Sequence, residues 1–407
     1  MFPAASLLAI LLLALSIAGS PVEVRNSPIT IPIVRRLNTS GGTINLSQHD
    51  KARVAAIKDR SASTLNRRAG NIPVINEAVS YIAQVGIGSP ATIYDLIVDT
   101  GSSNTWLGSG SAYVKTGTSI NTSQPVSVGY GSGYFSGTEY TDTLTLGSGL
   151  TITNQSIGVA SESSGFTGVD GILGIGPLGL TEGTLTNEQT TSIPTVTQNL
   201  YNQGKISHII VGISFEPTTS QKVTNGELTF GGTDATKYSG SIAYTPLTTT
   251  QDASHYWGIN ESIMYGSTTI LSTTAGIVDT GTTLIYIATD AYTKYQSATG
   301  ATLDQVTDLL SISLTQYHAL KNLNFNIGKT TYSLTPNAQI WPRSLNTYLG
   351  GSSGSIYLVV ADIGTPSGQG LDFINGQTFL ERFYSVFDTT NSRVGFATTS
   401  FTDATTN

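Results

Sequence analysis

Ile97-Val98-Asp99-Thr100-Gly101-Ser102-Ser103 is answered, 180 residues on, by Ile277-Val278-Asp279-Thr280-Gly281-Thr282-Thr283. In each stretch an apolar run carries an acid into a tight turn, and two hydroxyl side chains follow. Asp-Thr-Gly alone is an ordinary turn tripeptide. Two copies with matching flanks imply two halves of one molecule, each contributing one carboxylate. Two carboxylates in a single site suit acid–base chemistry on one water. Gly101 and Gly281 fit a backbone that must pass beside the acids without a side chain.

The halves echo each other further. After Asp99 comes Val169-Asp170-Gly171-Ile172-Leu173-Gly174-Ile175-Gly176, and after Asp279 comes Leu371-Asp372-Phe373-Ile374-Asn375-Gly376-Gln377-Thr378-Phe379-Leu380. Each is an apolar run reaching a glycine, which suits a strand packed closely beside the acid-bearing turn. The junction between halves is expected near Ser241–Pro246, after Phe230-Gly231-Gly232.

The 407 residues suffice for two domains and a large core. Only 11% are charged, against a usual quarter, and Gly, Ser and Thr abound. Short strand-like segments recur: Tyr81–Ile87, Tyr94–Val98, Thr143–Leu146, Glu227–Phe230, Ser355–Val360 and Phe383–Phe387. Helices are expected to be few. One begins near Ile193–Leu200 with Pro194 in its first turn, one is capped by Thr289 or Asp290, and one lies near Thr315–Leu320. Together these describe an all-β protein with few short helices.

Residues 1–20 read as a signal peptide: the apolar run Leu7–Leu15 is short for a membrane span and ends in Ala18-Gly19-Ser20. Secretion, or delivery to an acidic vacuole, follows. The absence of cysteine excludes disulfides and thiolate catalysis. Sequons at Asn121, Asn154 and Asn260 offer glycan sites.

Charge is unevenly spread. Residues 21–68 hold nine basic and three acidic side chains, a net of +6, while 69–407 hold ten basic and 23 acidic, a net of −13. The basic stretch closes on Arg67-Arg68, a dibasic processing signal. We read 21–68 as a pro-segment that lies on an acidic cleft while the carboxylates are ionised and loosens when acid neutralises them. Within it, Ile29-Thr30-Ile31-Pro32-Ile33-Val34 looks like a strand that must pair somewhere. The domain reading is therefore 1–20 signal, 21–68 pro-segment, 69–243 first lobe and 244–407 second lobe.

From about residue 72 onward the chain resembles the pepsin-type aspartic endopeptidases, and most closely the polyporopepsin-like group of basidiomycete fungi. The likeness rests on Val98-Asp99-Thr100-Gly101-Ser102-Ser103-Asn104-Thr105-Trp106-Leu107-Gly108, on Leu371–Gly376, and on the hairpin-like Val126-Ser127-Val128-Gly129-Tyr130-Gly131-Ser132-Gly133-Tyr134-Phe135-Ser136-Gly137. It implies a bilobal β fold with pseudo-twofold lobes and a substrate cleft between them. It implies that Asp99 and Asp279 share one proton and activate a water against a peptide carbonyl, the behaviour established for aspartic proteases as a class.

By the same resemblance Thr100 and Thr280 tie the two loops together, and Ser102 and Thr282 donate to the outer carboxylate oxygens. Tyr130, Gly131 and Ser132 form a flap over substrate, braced by Trp106. No cofactor or metal is implied. The expected partners are polypeptide substrates, the chain's own pro-segment as intramolecular inhibitor, and pepstatin-like inhibitors. The mature enzyme is expected to be a monomer without membrane or nucleic-acid contacts.

Two departures stand out. Some fungal relatives carry an acid two residues after the flap tyrosine and accept Lys before the cut; Ser132 here predicts a preference for large apolar residues instead. Asn375 occupies a position that is commonly apolar in the family.

Other chemistries fit less well. A two-carboxylate glycosidase needs acids about 5–9 Å apart and usually a sugar-stacking aromatic cleft, and the chain has only three Trp. Gly350-Gly351-Ser352-Ser353-Gly354 formally matches G-x-S-x-G but sits in a polar loop. Four His and no H-E-x-x-H argue against a zinc protease. No P-loop or basic mature surface suggests nucleotides or nucleic acid. A binding protein that had lost its chemistry should have lost an acid, a glycine or the flap tyrosine, and all are present.

Overall fold

The computed structural model describes residues 28–38, 42–62, 79–147 and 150–407. The signal segment 1–20 and the dibasic pair Arg67-Arg68 lie outside them. Among the described residues β-structure dominates, in one 13-stranded sheet, one 7-stranded sheet and one 3-stranded sheet.

The basic leader supplies a strand and a helix. The strand Ile29–Leu37 alternates buried and outward residues, with Ile29, Ile31, Ile33, Arg35 and Leu37 inward. This period of two suits a strand packed on one face. It pairs antiparallel with Lys222–Phe230 on one side and Val79–Ile87 on the other, and so lies inside the large sheet. Pro32 faces Glu227. Its other side precedes the pairing with Val79–Ile87, which starts at Ile33, so the missing N–H costs no ladder bond.

The helix Leu46–Ala62 is absent from the sequence expectations. Its buried positions are Leu46, Ser47, His49, Asp50, Arg53, Val54 and Ile57. That is helical spacing, but polar residues share the inward face with apolar ones, which conceals it from a hydrophobicity reading.

The first lobe is built on Val79–Ile87 and Thr92–Asp99, which pair antiparallel. Thr92–Asp99 runs parallel to Gly171–Gly174, with Asp99 in register with Gly174. In the second lobe Thr268–Val278 likewise runs parallel to Phe373–Asn375, with Val278 in register with Asn375. The two acid-bearing strands thus have equivalent neighbours, and the echoed apolar runs supply them. The lobes share the large sheet: Phe383–Asp388 pairs with Ile210–Ser214, and Arg393–Thr398 pairs with Ser239–Pro246. The stretch 241–246, the expected junction between halves, lies in the strand Ser239–Pro246.

Details differ from expectation. The helix near Pro194 starts at Val196, capped by Thr195. The helix Thr289–Thr299 starts after Ala288, so Thr289 is its first residue rather than its cap. The helix Leu314–Ala319 has a complete capping box from Ser313 and Gln316. Ser355–Val360 is not one strand. Ile356–Tyr357 joins the three-stranded sheet and Val360–Asp362 the seven-stranded one, because Leu358 and Val359 hydrogen-bond to different neighbours, Leu310 and Gln339.

Candidate active site

Asp99 and Asp279 meet where the lobes join. Both are buried, at 1% and 0% exposure. Their surroundings repeat with near twofold symmetry. Gly101 N–H donates to Asp99 Oδ1 at 2.9 Å and Gly281 N–H to Asp279 Oδ1 at 3.0 Å. Ser102 Oγ donates to Asp99 Oδ2 at 2.5 Å and Thr282 Oγ1 to Asp279 Oδ2 at 2.6 Å. Each carboxylate therefore accepts one backbone and one hydroxyl hydrogen, both of which favour the ionised form.

The turns are cross-linked. Thr100 N–H donates to Thr280 Oγ1 and Thr280 N–H to Thr100 Oγ1, each at 2.9 Å. Each hydroxyl then donates to the opposite strand, Thr280 to Val98 O at 2.9 Å and Thr100 to Val278 O at 3.3 Å. The glycines are required by closeness: a Cβ on Gly101 would lie 2.5 Å from Asp279 Oδ1, and one on Gly281 would lie 2.8 Å from Asp99 Oδ1.

Arg53 of the leader helix fills the space between the acids. Its Nη2 donates to Asp99 Oδ1 at 2.5 Å and to Asp279 Oδ1 at 2.9 Å, and its Nε donates to Asp279 Oδ2 at 2.7 Å. One nitrogen reaching both inner oxygens puts the carboxylates on one site. Burial alone would raise the Asp279 pKa, but the Arg53 guanidinium, then Thr282 and Gly281, outweigh it and hold the carboxyl below its usual range. Burial likewise opposes the charge on Arg53, and the two acids overcome it.

Further contacts seat the helix. Asp50 Oδ2 accepts from Thr283 N–H at 3.0 Å and Leu284 N–H at 2.8 Å. Lys51 pairs with Asp308. Lys58 donates to Ile363 O and Thr365 Oγ1. In the leader strand, outside the helix, Arg35 forms a buried ion pair with Glu381 at 3.0 Å.

The hairpin of Ile120–Gly129 and Tyr134–Leu146 turns through Tyr130–Gly133, closed by Tyr130 N–H to Gly133 O at 2.8 Å. Gly131 has φ +80, and a Cβ there would run into Ala52 O and Ala56 of the leader helix. Arg60 donates to Gly129 O at 3.0 Å. The helix therefore lies beneath the hairpin tip, and Arg53, Arg60, Gly101, Tyr130 and Tyr256 line the remaining cleft. Trp106 braces the hairpin: its ring stacks on Phe135 at 4.4 Å and lies 6.3 Å from Tyr130, while Phe166 meets both rings edge-on. Ser132 is buried at the tip.

All twelve residues singled out in the sequence thus gather around one cleft. Sequence reasoning did not single out Arg53, Asp50, Arg60 or Tyr256. The only available signal was the spacing of residues 46, 50, 53 and 57.

A sequence model described as eukaryotic aspartyl protease matches residues 80–399. The chain belongs to the eukaryotic aspartyl protease family. It is 65% identical over 340 residues to polyporopepsin of Irpex lacteus, covering 83% of this chain and 100% of that protein. It is 32% identical to cathepsin E of Rattus norvegicus, over 80% of this chain and 82% of that protein. The crystal structure of the aspartic proteinase from Irpex lacteus matches with a TM-score of 0.81 at 57% identity, over 94% of this chain and 100% of that one.

This aspartyl protease is a pepsin-like aspartic endopeptidase, a hydrolase acting on polypeptides, with the bilobal fold expected from its sequence. Among its described residues no group of three or more His, Asp or Glu is arranged to hold a metal, and no helix is long and apolar enough to cross a membrane.

Proposed function

We propose that Asp99 and Asp279 are the catalytic dyad of a secreted acid endopeptidase made as a zymogen. The observation that carries this is the bridging of both inner carboxylate oxygens by the single guanidinium of Arg53. With the guanidinium gone, two adjacent buried carboxyls share one proton, because both cannot ionise cheaply.

The ionised member takes a proton from a bound water, whose oxygen attacks the peptide carbon. The protonated member passes its hydrogen to the carbonyl oxygen, giving a neutral gem-diol. Collapse breaks the C–N bond: one diol hydroxyl returns its proton to the dyad, and the leaving nitrogen gains one from it. Ser102 and Thr282 stabilise the outer oxygens throughout. Closure of Tyr130, Gly131 and Ser132 holds an extended substrate by backbone hydrogen bonds and excludes water. Ser132 in place of an acid favours large apolar residues around the cut.

Residues 21–68 act as the inhibitor. While Arg53 is seated, no water can bridge the acids. Removal of residues 1–20 and processing near Arg67-Arg68 release the mature enzyme, a monomer sensitive to pepstatin. The exposed Asn121, Asn154 and Asn260 are the glycan sites.

The test is acid treatment of wild type and Asp99→Asn, followed by N-terminal sequencing and a peptide digest with and without pepstatin. Wild type should mature and cleave, and lose activity with pepstatin. Asp99→Asn should stay folded and inert. Undiminished cleavage by Asp99→Asn would overturn the assignment.

A further inference from the structure

Asn375, the departure from an apolar residue, lies directly behind the Asp279 turn. It is in register with Val278 on one side and Ile285 on the other, the strands that enter and leave that turn. Its carbonyl accepts the Asp279 N–H at 3.1 Å. The residues after it grip the same turn: Gln377 N–H donates to Thr282 O at 2.8 Å and Thr378 N–H to Thr283 O at 3.1 Å. Where 375–378 sits therefore decides where Asp279 sits.

The Asn375 side chain is wholly buried and donates through Nδ2 to Glu261 Oε2 at 2.8 Å. Glu261 is also wholly buried, on Gly258–Tyr265, the neighbour of the Asp279-bearing strand. The remaining atoms of the pair, Glu261 Oε1 and Asn375 Oδ1, have no hydrogen-bond partner among the described residues. Both are acceptors in the ionised state, and buried acceptors without donors are costly. One proton on Oε1 turns that atom into a donor and gives Oδ1 a partner.

Among the described residues no cation offers an alternative: burial and the Asn375 hydrogen bond alone act on Glu261. The strands Thr268–Val278, Leu323–Ile327 and Phe373–Asn375 carry no ionisable side chain, and on Gly258–Tyr265 itself the only other one is Tyr265. Burial pushes the Glu261 carboxyl up to about 8, against the opposing hydrogen bond from Asn375.

We propose that Glu261 is a neutral acid in the folded enzyme and closes a two-way acid–amide pair with Asn375 that positions the Asp279 loop. Glu261 is a positioning residue, remote from substrate. The inference rests on the reading of Asp279 as catalytic. An acid–amide pair has one donor and one acceptor on each side, so glutamine can replace the glutamic acid without loss. A single apolar replacement strands the partner; replacing both partners strands nothing.

The test uses the full chain activated by acid, comparing wild type, Glu261→Gln, Glu261→Leu and the double variant Glu261→Leu/Asn375→Val. Glu261→Gln should keep kcat within about twofold. Glu261→Leu should lose about tenfold in kcat with KM nearly unchanged, because a displaced acid slows chemistry without altering the substrate contacts. The double variant should recover most of that loss.

Independently of activity, the infrared difference between wild type and Glu261→Gln near pH 6 should contain a protonated-carboxyl stretch. Unchanged kcat in Glu261→Leu, or a difference spectrum without that band, overturns the inference. Should Glu261→Leu fail to fold, the infrared band and the activity of Glu261→Gln decide it. An inactive wild type sinks the reading of Asp279 instead, and the band still decides the state of Glu261.

Discussion

Thr100 and Thr280 exchange hydrogen bonds symmetrically: each hydroxyl accepts the other's backbone N–H, both at 2.9 Å. Each also donates to the strand that delivers the other acid. The two carboxylates are thereby fixed by one buried bracket rather than by lobe packing alone. Thr280→Val keeps the volume and removes both roles of the hydroxyl, leaving the Thr100 N–H buried without an acceptor. Unfolding in urea should register a loss of about 1–3 kcal/mol, and kcat/KM should fall with it.

Arg53→Gln should weaken the block on the acids, although Asp50, Lys51 and Lys58 still seat the helix. The substitution removes the charge that depresses the Asp279 pKa and leaves two buried carboxyls facing each other. The variant should cleave a small peptide before any processing, at a pH where the unprocessed wild type is silent. Chain length by mass spectrometry, measured alongside activity, checks this.

Acid release follows from the same shift. With the leader seated, Arg53 holds the Asp279 carboxyl below its usual range, whereas the leader-free dyad shares one proton, so the leader-bound state is favoured while both acids are ionised. That preference is lost as pH falls through the lowered value. Maturation should therefore be slow at neutral pH and switch on in acid. Asp50→Asn, which weakens the acceptor for the Thr283 and Leu284 N–H groups, should move the onset to higher pH. The mature enzyme's kcat should not change. Maturation at neutral pH as fast as in acid would contradict this.

Glu139 predicts a decline of stability towards alkali. It is buried, accepts from Ser156 Oγ at 2.6 Å, and burial raises its pKa to about 7. A carboxyl whose folded pKa is raised penalises folding progressively as pH rises above its unfolded value, and the penalty levels off above the folded one. Between pH ~4.5 and ~7 it amounts to at most about 3 kcal/mol. Melting temperatures at pH 5 and 8 should differ less in Glu139→Gln than in wild type.

Ser132 sets a specificity prediction. Wild type should cut after Phe or Leu in preference to Lys in matched peptides. Ser132→Asp should raise kcat/KM for the Lys peptide, since a flap-tip carboxylate can pair with an ammonium in a site shielded from water. Equal cleavage of the Lys and Leu peptides by wild type would refute it.

The twin turns were legible because each is local: acid, hydroxyl and glycine lie within four residues, and the two copies could be compared directly. The hairpin and its tryptophan were legible through resemblance. Arg53 was not, because its role depends on a helix whose inward face mixes His49, Asp50 and Arg53 with Leu46, Val54 and Ile57. Such a face has helical spacing in burial but not in hydrophobicity. Glu261 and Asn375 are 114 residues apart, and Asn375 read only as a departure from pattern.

The order of residues alone committed this chain to two equivalent β halves, each ending a buried strand in an acid, because turn chemistry and strand alternation are short-range. Tertiary packing decided which basic side chain of the leader enters the cleft, and which buried acid keeps its proton behind it. Both outcomes depend on desolvation and on charges brought together from distant positions, and neither quantity exists until the lobes have closed.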